Sequence, residues 1–317
     1  MSLTIGDVPH TLANPLLRER AAIRKDAAKQ SWDAPAPLRL WHLASLDAPT
    51  VAVVWALGFA WAADVRLPVW IPILLALAAW TVYIADRLLD AHFSLRTGET
   101  HRLRLRHHFH WRHRRILIPL AIAATLAAAW IVLTLMPAAA RERDSVLAAA
   151  AMAYFTRVHS RSGLAFQPST RSPVAFPFKE LLVGFLFTAA CVLPAWSRSY
   201  AASAPWPLLA PAVFFALLAW LNCHAIETWE SAPASACRQS VFLRGCLLAL
   251  IGFAMAAVVF HIQPRINALL TAGALSALLL ALLDRMRNLL TPLALRVAAD
   301  LVLLTPVFLV ALAPSHR

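Results

Sequence analysis

Asp86, Arg87 and Asp90 stand within five residues in the segment TVYIADRLLDAHFSLRT (Thr81–Thr97), after a run over 67–85 that carries no charge. On a helix, residues four apart share one face, with Cβ atoms about 5–6 Å apart. Asp86 and Asp90 are therefore placed to share one hard cation. Mg2+ suits them, because it takes oxygen ligands and typically completes its shell with water and substrate phosphates. Two carboxylates this close repel, so a cation or basic groups must offset them. The plainer alternative is a helix that ends in the water layer, its acids paired with Arg87 and Arg96.

A second acidic stretch, WLNCHAIETWE, runs from Trp220 to Glu230. Glu227 and Glu230 are three apart, on one face with Cys223, while Asn222 lies off to the side and offers a single neutral oxygen. Here too the plain reading is a helix end with solvated acids, or acids paired with Arg238.

The elements that must hold these groups follow from composition. The chain has 317 residues, 60% hydrophobic and 14% charged, whereas soluble domains carry about 25% charged residues. A polytopic membrane protein is expected. Apolar segments near 48–65, 67–86, 116–137, 143–158, 181–198, 206–224, 242–262, 266–283 and 294–313 predict nine spans. Asp64 interrupts the first, and the fourth has only the uncharged stretch Ser145–Thr156. No cleavable leader is expected, because the first 47 residues are polar; they read as a basic cytoplasmic tail, with residues 48–317 as one transmembrane domain.

Charge asymmetry supports that layout. With the N-terminus inside, 23 of the 29 Lys and Arg residues fall on cytoplasmic segments and six outside, as the positive-inside rule requires. The net charge of +13 then implies a basic face on anionic membrane lipids rather than a nucleic-acid surface. The same topology puts the ends of spans two and six, with both acidic pairs, on the inner side. Trp32, Trp41, Trp70 and Trp80 fit an interfacial aromatic belt.

Other groups have plainer readings. The stretch HRLRLRHHFHWRHRR (101–115) sets His107, His110 and His113 three apart, a conceivable metal arrangement. Six interleaved arginines favour a basic interfacial helix anchored by Phe109 and Trp111, next to Asp90. Asp300 is expected to pair with Arg296, one turn earlier. The four cysteines form no C-x-x-C pair and read as packing residues.

The segment ADRLLDAHFSLRT resembles the first aspartate-rich motif of the UbiA superfamily of intramembrane prenyltransferases, N-x-x-x-D-x-x-x-D continuing A-D-R-x-x-D-x-H and R-T. Asp86 and Asp90 occupy its aspartate positions, and Arg87, His92, Arg96 and Thr97 also fit. FPFKELLVGFLFTAA, from Phe176, resembles the start of that family's fifth helix, with Gly184 after a basic lead-in. Val82 stands where the motif has Asn, and Asn222, Glu227 and Glu230 replace the second motif's aspartates. The resemblance implies nine transmembrane helices and Mg2+-dependent transfer of an isoprenoid from its diphosphate to an aromatic or lipid acceptor. Asp86, Asp90, Asn222, Glu227 and Glu230 would hold metal, Asp86 and Asp90 being the catalytic pair. Arg87, Arg96, Arg157 and Lys179 would contact the diphosphate.

Three rivals accompany this expectation: a UbiA-like protein with altered or lost catalysis, a non-enzymatic transporter or lipid-binding protein, and a CDP-alcohol phosphotransferase. The last lacks its upstream D-G and A-R arrangement before Asp86. No repeat links the two halves of the chain, as transporters often show. The expected setting is a bacterial inner membrane.

Overall fold

A computed structural model describes residues 32–96, 104–164, 176–202, 206–231 and 240–312, with backbone only for 157–164, 176–179, 200–202, 231, 240 and 310–312. The N-terminal residues 1–31 lie outside the described residues. Twelve α-helices make up the described chain. They are α1 Ala36–Leu43, α2 Asp47–Ala62, α3 Trp70–Arg96, α4 Leu105–Arg112, α5 Arg114–Thr134 and α6 Ala138–Leu164. After them come α7 Phe176–Ala202, α8 Leu209–Ser231, α9 Ser240–Val259, α10 Pro264–Met286, α11 Pro292–Leu301 and α12 Val307–Leu312. Among the described residues, β-type pairing is confined to one isolated bridge, Trp32 to Leu290.

All nine expected apolar segments are helical. Seven helical segments are long and apolar enough to cross a membrane, and an eighth is added if the bent pair α1–α2 is one span. These seven fit an integral membrane protein. The segment that falls short is α6, whose first turns carry Arg141, Glu142, Arg143 and Asp144. The first expected span is short by itself and passes only together with α1, across a bend of 88°. Both departures occur at the two segments where charge interrupts the apolar run.

Local chemistry explains several helix ends. Pro264 and Pro292 begin α10 and α11, where a missing N–H costs nothing because it would be unpaired anyway. Thr291 caps α11 by accepting from the Ala294 N–H at 3.1 Å. At the start of α2, Asp47 accepts the Ala48 N–H at 2.9 Å, and its negative charge suits the positive helix end. Ser45 makes the α1–α2 corner with φ of 55°, in the left-handed region that non-glycine residues seldom enter.

Packing is achieved by small residues and a few aromatics. A Cβ on Gly184 of α7 would lie 2.9 Å from the Trp220 backbone nitrogen of α8, and one on Gly245 of α9 would lie 2.8 Å from the Ala281 Cβ of α10. Such close backbone approach is how helices associate in lipid, where burying apolar area brings little gain. The core centres on Trp55, Phe59, Phe214 and Phe215, with Trp55 and Phe215 stacked at 3.8 Å. Trp55 donates its indole N–H to the Leu303 carbonyl at 2.8 Å, which satisfies its one polar atom. By contrast, α5 leaves Ile118, Leu120, Ile122, Leu126, Trp130 and Leu133 exposed, the surface expected of a helix that faces acyl chains.

Candidate functional site

Helix α3 carries Tyr83, Asp86, Arg87 and Asp90 toward its last turns, and α8 carries Asn222, Cys223, Glu227 and Glu230 toward its own. Helix α4 links the two ends. Its N-cap residue, Arg104, forms an ion pair with Glu230 and approaches Glu227 at 3.9 Å. On the next turn His107 Nε2 lies 3.8 Å from Asp90 Oδ2. Asp90, Glu227 and Glu230 therefore border the same short helix.

The acids are interleaved with arginines. Asp86 pairs with Arg87 at 2.9 Å, the plain alternative raised by its sequence. Glu230 is held from two sides, by Arg104 and by Arg296 of α11. Beside Glu230 and Arg296 opens a cleft of about 150 Å³ that Trp229, Arg287 and Leu295 also line. The expected pairing of Arg296 with Asp300 gives way to this one. Arg296 reaches Glu230 across helices, while Asp300 turns to α1, α2 and α8. Arg104, Arg106 and Arg296 complete the cluster and were not singled out as anion contacts by their sequence, since only the fold brings α4 and α11 to α3.

Helix α4 contributes more than charge. His107 and His110 are buried, so this face of the segment packs into the bundle, while Leu105, His108 and Arg112 are exposed. His110 donates from Nδ1 to the Arg106 carbonyl at 2.7 Å, which leaves Nε2 to accept from the Ser45 hydroxyl at 3.2 Å. His113 Nδ1 bonds the Phe109 carbonyl at 2.8 Å, so the three histidines serve the backbone and the Ser45 corner rather than a common metal. His107 Nδ1 accepts the Arg104 N–H at 3.1 Å, so its Nε2 bears the proton. Burial, reinforced by Arg106, Arg87, Arg104 and Arg296, pushes the His107 pKa down to about 3 and keeps the ring neutral. Two buried donors, His107 Nε2–H and Arg106 Nε–H, lack a hydrogen-bond partner. Burial and neighbouring guanidiniums also push the Arg106 pKa well below its usual value. Unmet buried donors cost about 1–3 kcal/mol each, and an anion would relieve both.

A second polar group lies nearby. His42 of α1 places Nδ1 2.7 Å from Asp47 Oδ2 and 3.4 Å from Asp300 Oδ2. Asn222 donates to Asp300 Oδ1 at 3.3 Å, so this residue belongs with His42, Asp47 and Asp300. Helix α1, counted with the tail in sequence, packs on α11 and α4. Trp41 and Trp80 tie the α1–α2 corner, through Thr50 Oγ1 at 3.1 Å and the Ala44 carbonyl at 2.9 Å.

Of the remaining expected diphosphate contacts, Arg96 is exposed at the end of α3. The side chains of Arg157 and Lys179 lie outside the described residues, as does Arg238. Val82 is 48% exposed, one turn before Asp86. Among the described residues, Asp86, Asp90, Glu227 and Glu230 do not bring three ligand atoms within 4.8 Å of one another. That spacing is compatible with Mg2+, which is usually held by one or two carboxylates and completed by water and phosphate. No family model, no curated protein and no solved structure matches the chain.

Proposed function

We propose that the protein is an intramembrane prenyltransferase of UbiA type, moving an isoprenoid from its diphosphate to an aromatic or lipid acceptor with Mg2+. The observation that carries this reading is the pair of unmet buried donors on α4, Arg106 Nε–H and His107 Nε2–H. They stand among Arg87, Arg104 and Arg296, with Asp90 beside His107 and Glu227 and Glu230 beside Arg104. Four carboxylates and four guanidiniums balance formally, so a diphosphate bound at this cluster needs cations of its own. A magnesium–diphosphate complex meets that requirement better than either partner alone.

In this reading Asp86 and Asp90 hold Mg2+ from α3, with Glu227 and Glu230 on the opposite side. When bound, Mg2+ offsets the charge that builds on the diphosphate as the allylic C–O bond ionises. Arg106 and His107 hold diphosphate oxygens by N–H donation, and Arg87 and Arg296 add fixed positive charge without reorganising. The apolar donor chain would lie along the lipid-facing bundle. The proposal includes nine spans, a cytoplasmic N-terminus and a bacterial inner membrane.

Purified protein with Mg2+ and an allylic diphosphate should release diphosphate, and Asp86→Asn or Asp90→Asn should cut the rate about 10²-fold or more, as loss of an electrostatic contact in a closed site does. Negligible release by the wild type and both variants would defeat the enzyme claim. A second reading, a UbiA-like protein whose catalysis is altered or lost, draws on one observation. Glu230 is held by both Arg104 and Arg296, which competes with metal binding at that residue.

A further inference from the structure

Next to the acid–arginine cluster, His42, Asp47 and Asp300 form a compact, buried group. The three ligand atoms lie within 4.8 Å of one another, and among the described residues no other set of three or more His, Cys, Asp or Glu does so. His42 Nδ1 lies between the two carboxylates, at 2.7 Å and 3.4 Å.

The independent observation is Asn222. It is 6% exposed and its Nδ2 donates to Asp300, while the Oδ1 of the same amide is buried without a hydrogen-bond partner. A buried carbonyl oxygen with nothing to accept from costs about 1–3 kcal/mol. Its amide is bonded to Asp300, which groups with Asp47 and His42, and those carboxylates would themselves welcome positive charge.

We propose that His42 Nδ1, one oxygen each of Asp47 and Asp300, and Asn222 Oδ1 bind a borderline divalent cation such as Zn2+ or Mn2+. Donor chemistry selects the class. An imidazole nitrogen favours first-row transition ions, whereas Mg2+ and Ca2+ take oxygen almost exclusively. Ligands about 2.0–2.2 Å from an ion stand about 3.0–3.4 Å apart, close to the separations found. A dication also leaves two buried carboxylates and a neutral imidazole without net charge, so neither acid remains uncompensated. The ligands come from α1, α2 and α11, with Asn222 from α8, so a bound ion would pin the 88° corner to the bundle. This site is separate from Asp86 and Asp90, and its failure leaves the transferase reading intact.

The test uses full-length protein without a histidine tag, stripped with EDTA, reloaded with Zn2+ or Mn2+, and measured by elemental mass spectrometry. The wild type should retain about one ion per chain, as should Asp64→Asn at the opposite end. Asp300→Asn should lose the ion, and Asn222→Ala should weaken affinity about 10-fold or more. Cobalt substitution should give a visible absorption band that Asp300→Asn removes. Should that variant fail to fold, the wild type decides: EDTA must lower its thermal midpoint and Zn2+ restore it. No ion in the wild type, or an equal load in a folded Asp300→Asn, would overturn the proposal and leave a purely hydrogen-bonded group, or ions on the histidines of α4.

Discussion

At the scale of single residues, His107 is the most informative side chain. Its value near 3 lies far below the ordinary 6.5, so the folded protein binds fewer protons than the unfolded chain between those limits. The neutral ring's contribution to stability is complete above about pH 6.5 and is lost as pH falls toward 3. The thermal midpoint should therefore decline as pH drops from 7 to 5, and His107→Gln should flatten that slope. An unchanged slope in the variant would assign the decline elsewhere. Glu230 makes the complementary case. Replacing it by Gln removes the charge that Arg104 and Arg296 share; the loss should be about 1–3 kcal/mol, read as a lower midpoint that high salt narrows.

Helices are the next scale, and there the decisive contacts are made by what is missing. Gly245 lets α9 lie against Ala277 and Ala281 of α10, where an added Cβ would come within 2.8 Å of another side chain and 3.1 Å of a carbonyl. Gly245→Val should destabilise by about 1–3 kcal/mol, as overpacking does. A midpoint equal to wild type for Gly245→Val would contradict the α9–α10 packing. The α1–α2 corner illustrates a different dependence. Ser45 accepts a strained backbone while its hydroxyl meets His110, so the turn and α4 are held by one residue.

For the whole molecule, the path of α6 decides where the termini lie. If α6 crosses the membrane, the two termini lie on opposite sides; if it does not, they lie on the same side. An alkaline phosphatase fused after Arg317 should be active and one fused after Thr97 inactive under the nine-span proposal, because the enzyme matures only outside. Inactivity at both positions would remove α6 from the spans.

Apolar run length carried most of the helical architecture, since twenty uncharged residues in succession have few alternatives to a membrane-length helix. The acidic ends of α3 and α8 were legible for the same reason: Asp86, Asp90, Glu227 and Glu230 are conspicuous against apolar sequence. What tertiary structure alone decided is which partners those acids meet. Arg104 and Arg296 come to Glu230 from segments 126 and 66 residues away in sequence, and the spacing along one helix holds no record of that. His42 and Asp47 were read as tail, and Asp300 as a neighbour of Arg296, because their meeting requires an 88° corner and the approach of α11. Periodicity along a chain reports which face is apolar, but a polar cluster gathered from four helices is a property of their packing, and only the folded bundle contains it.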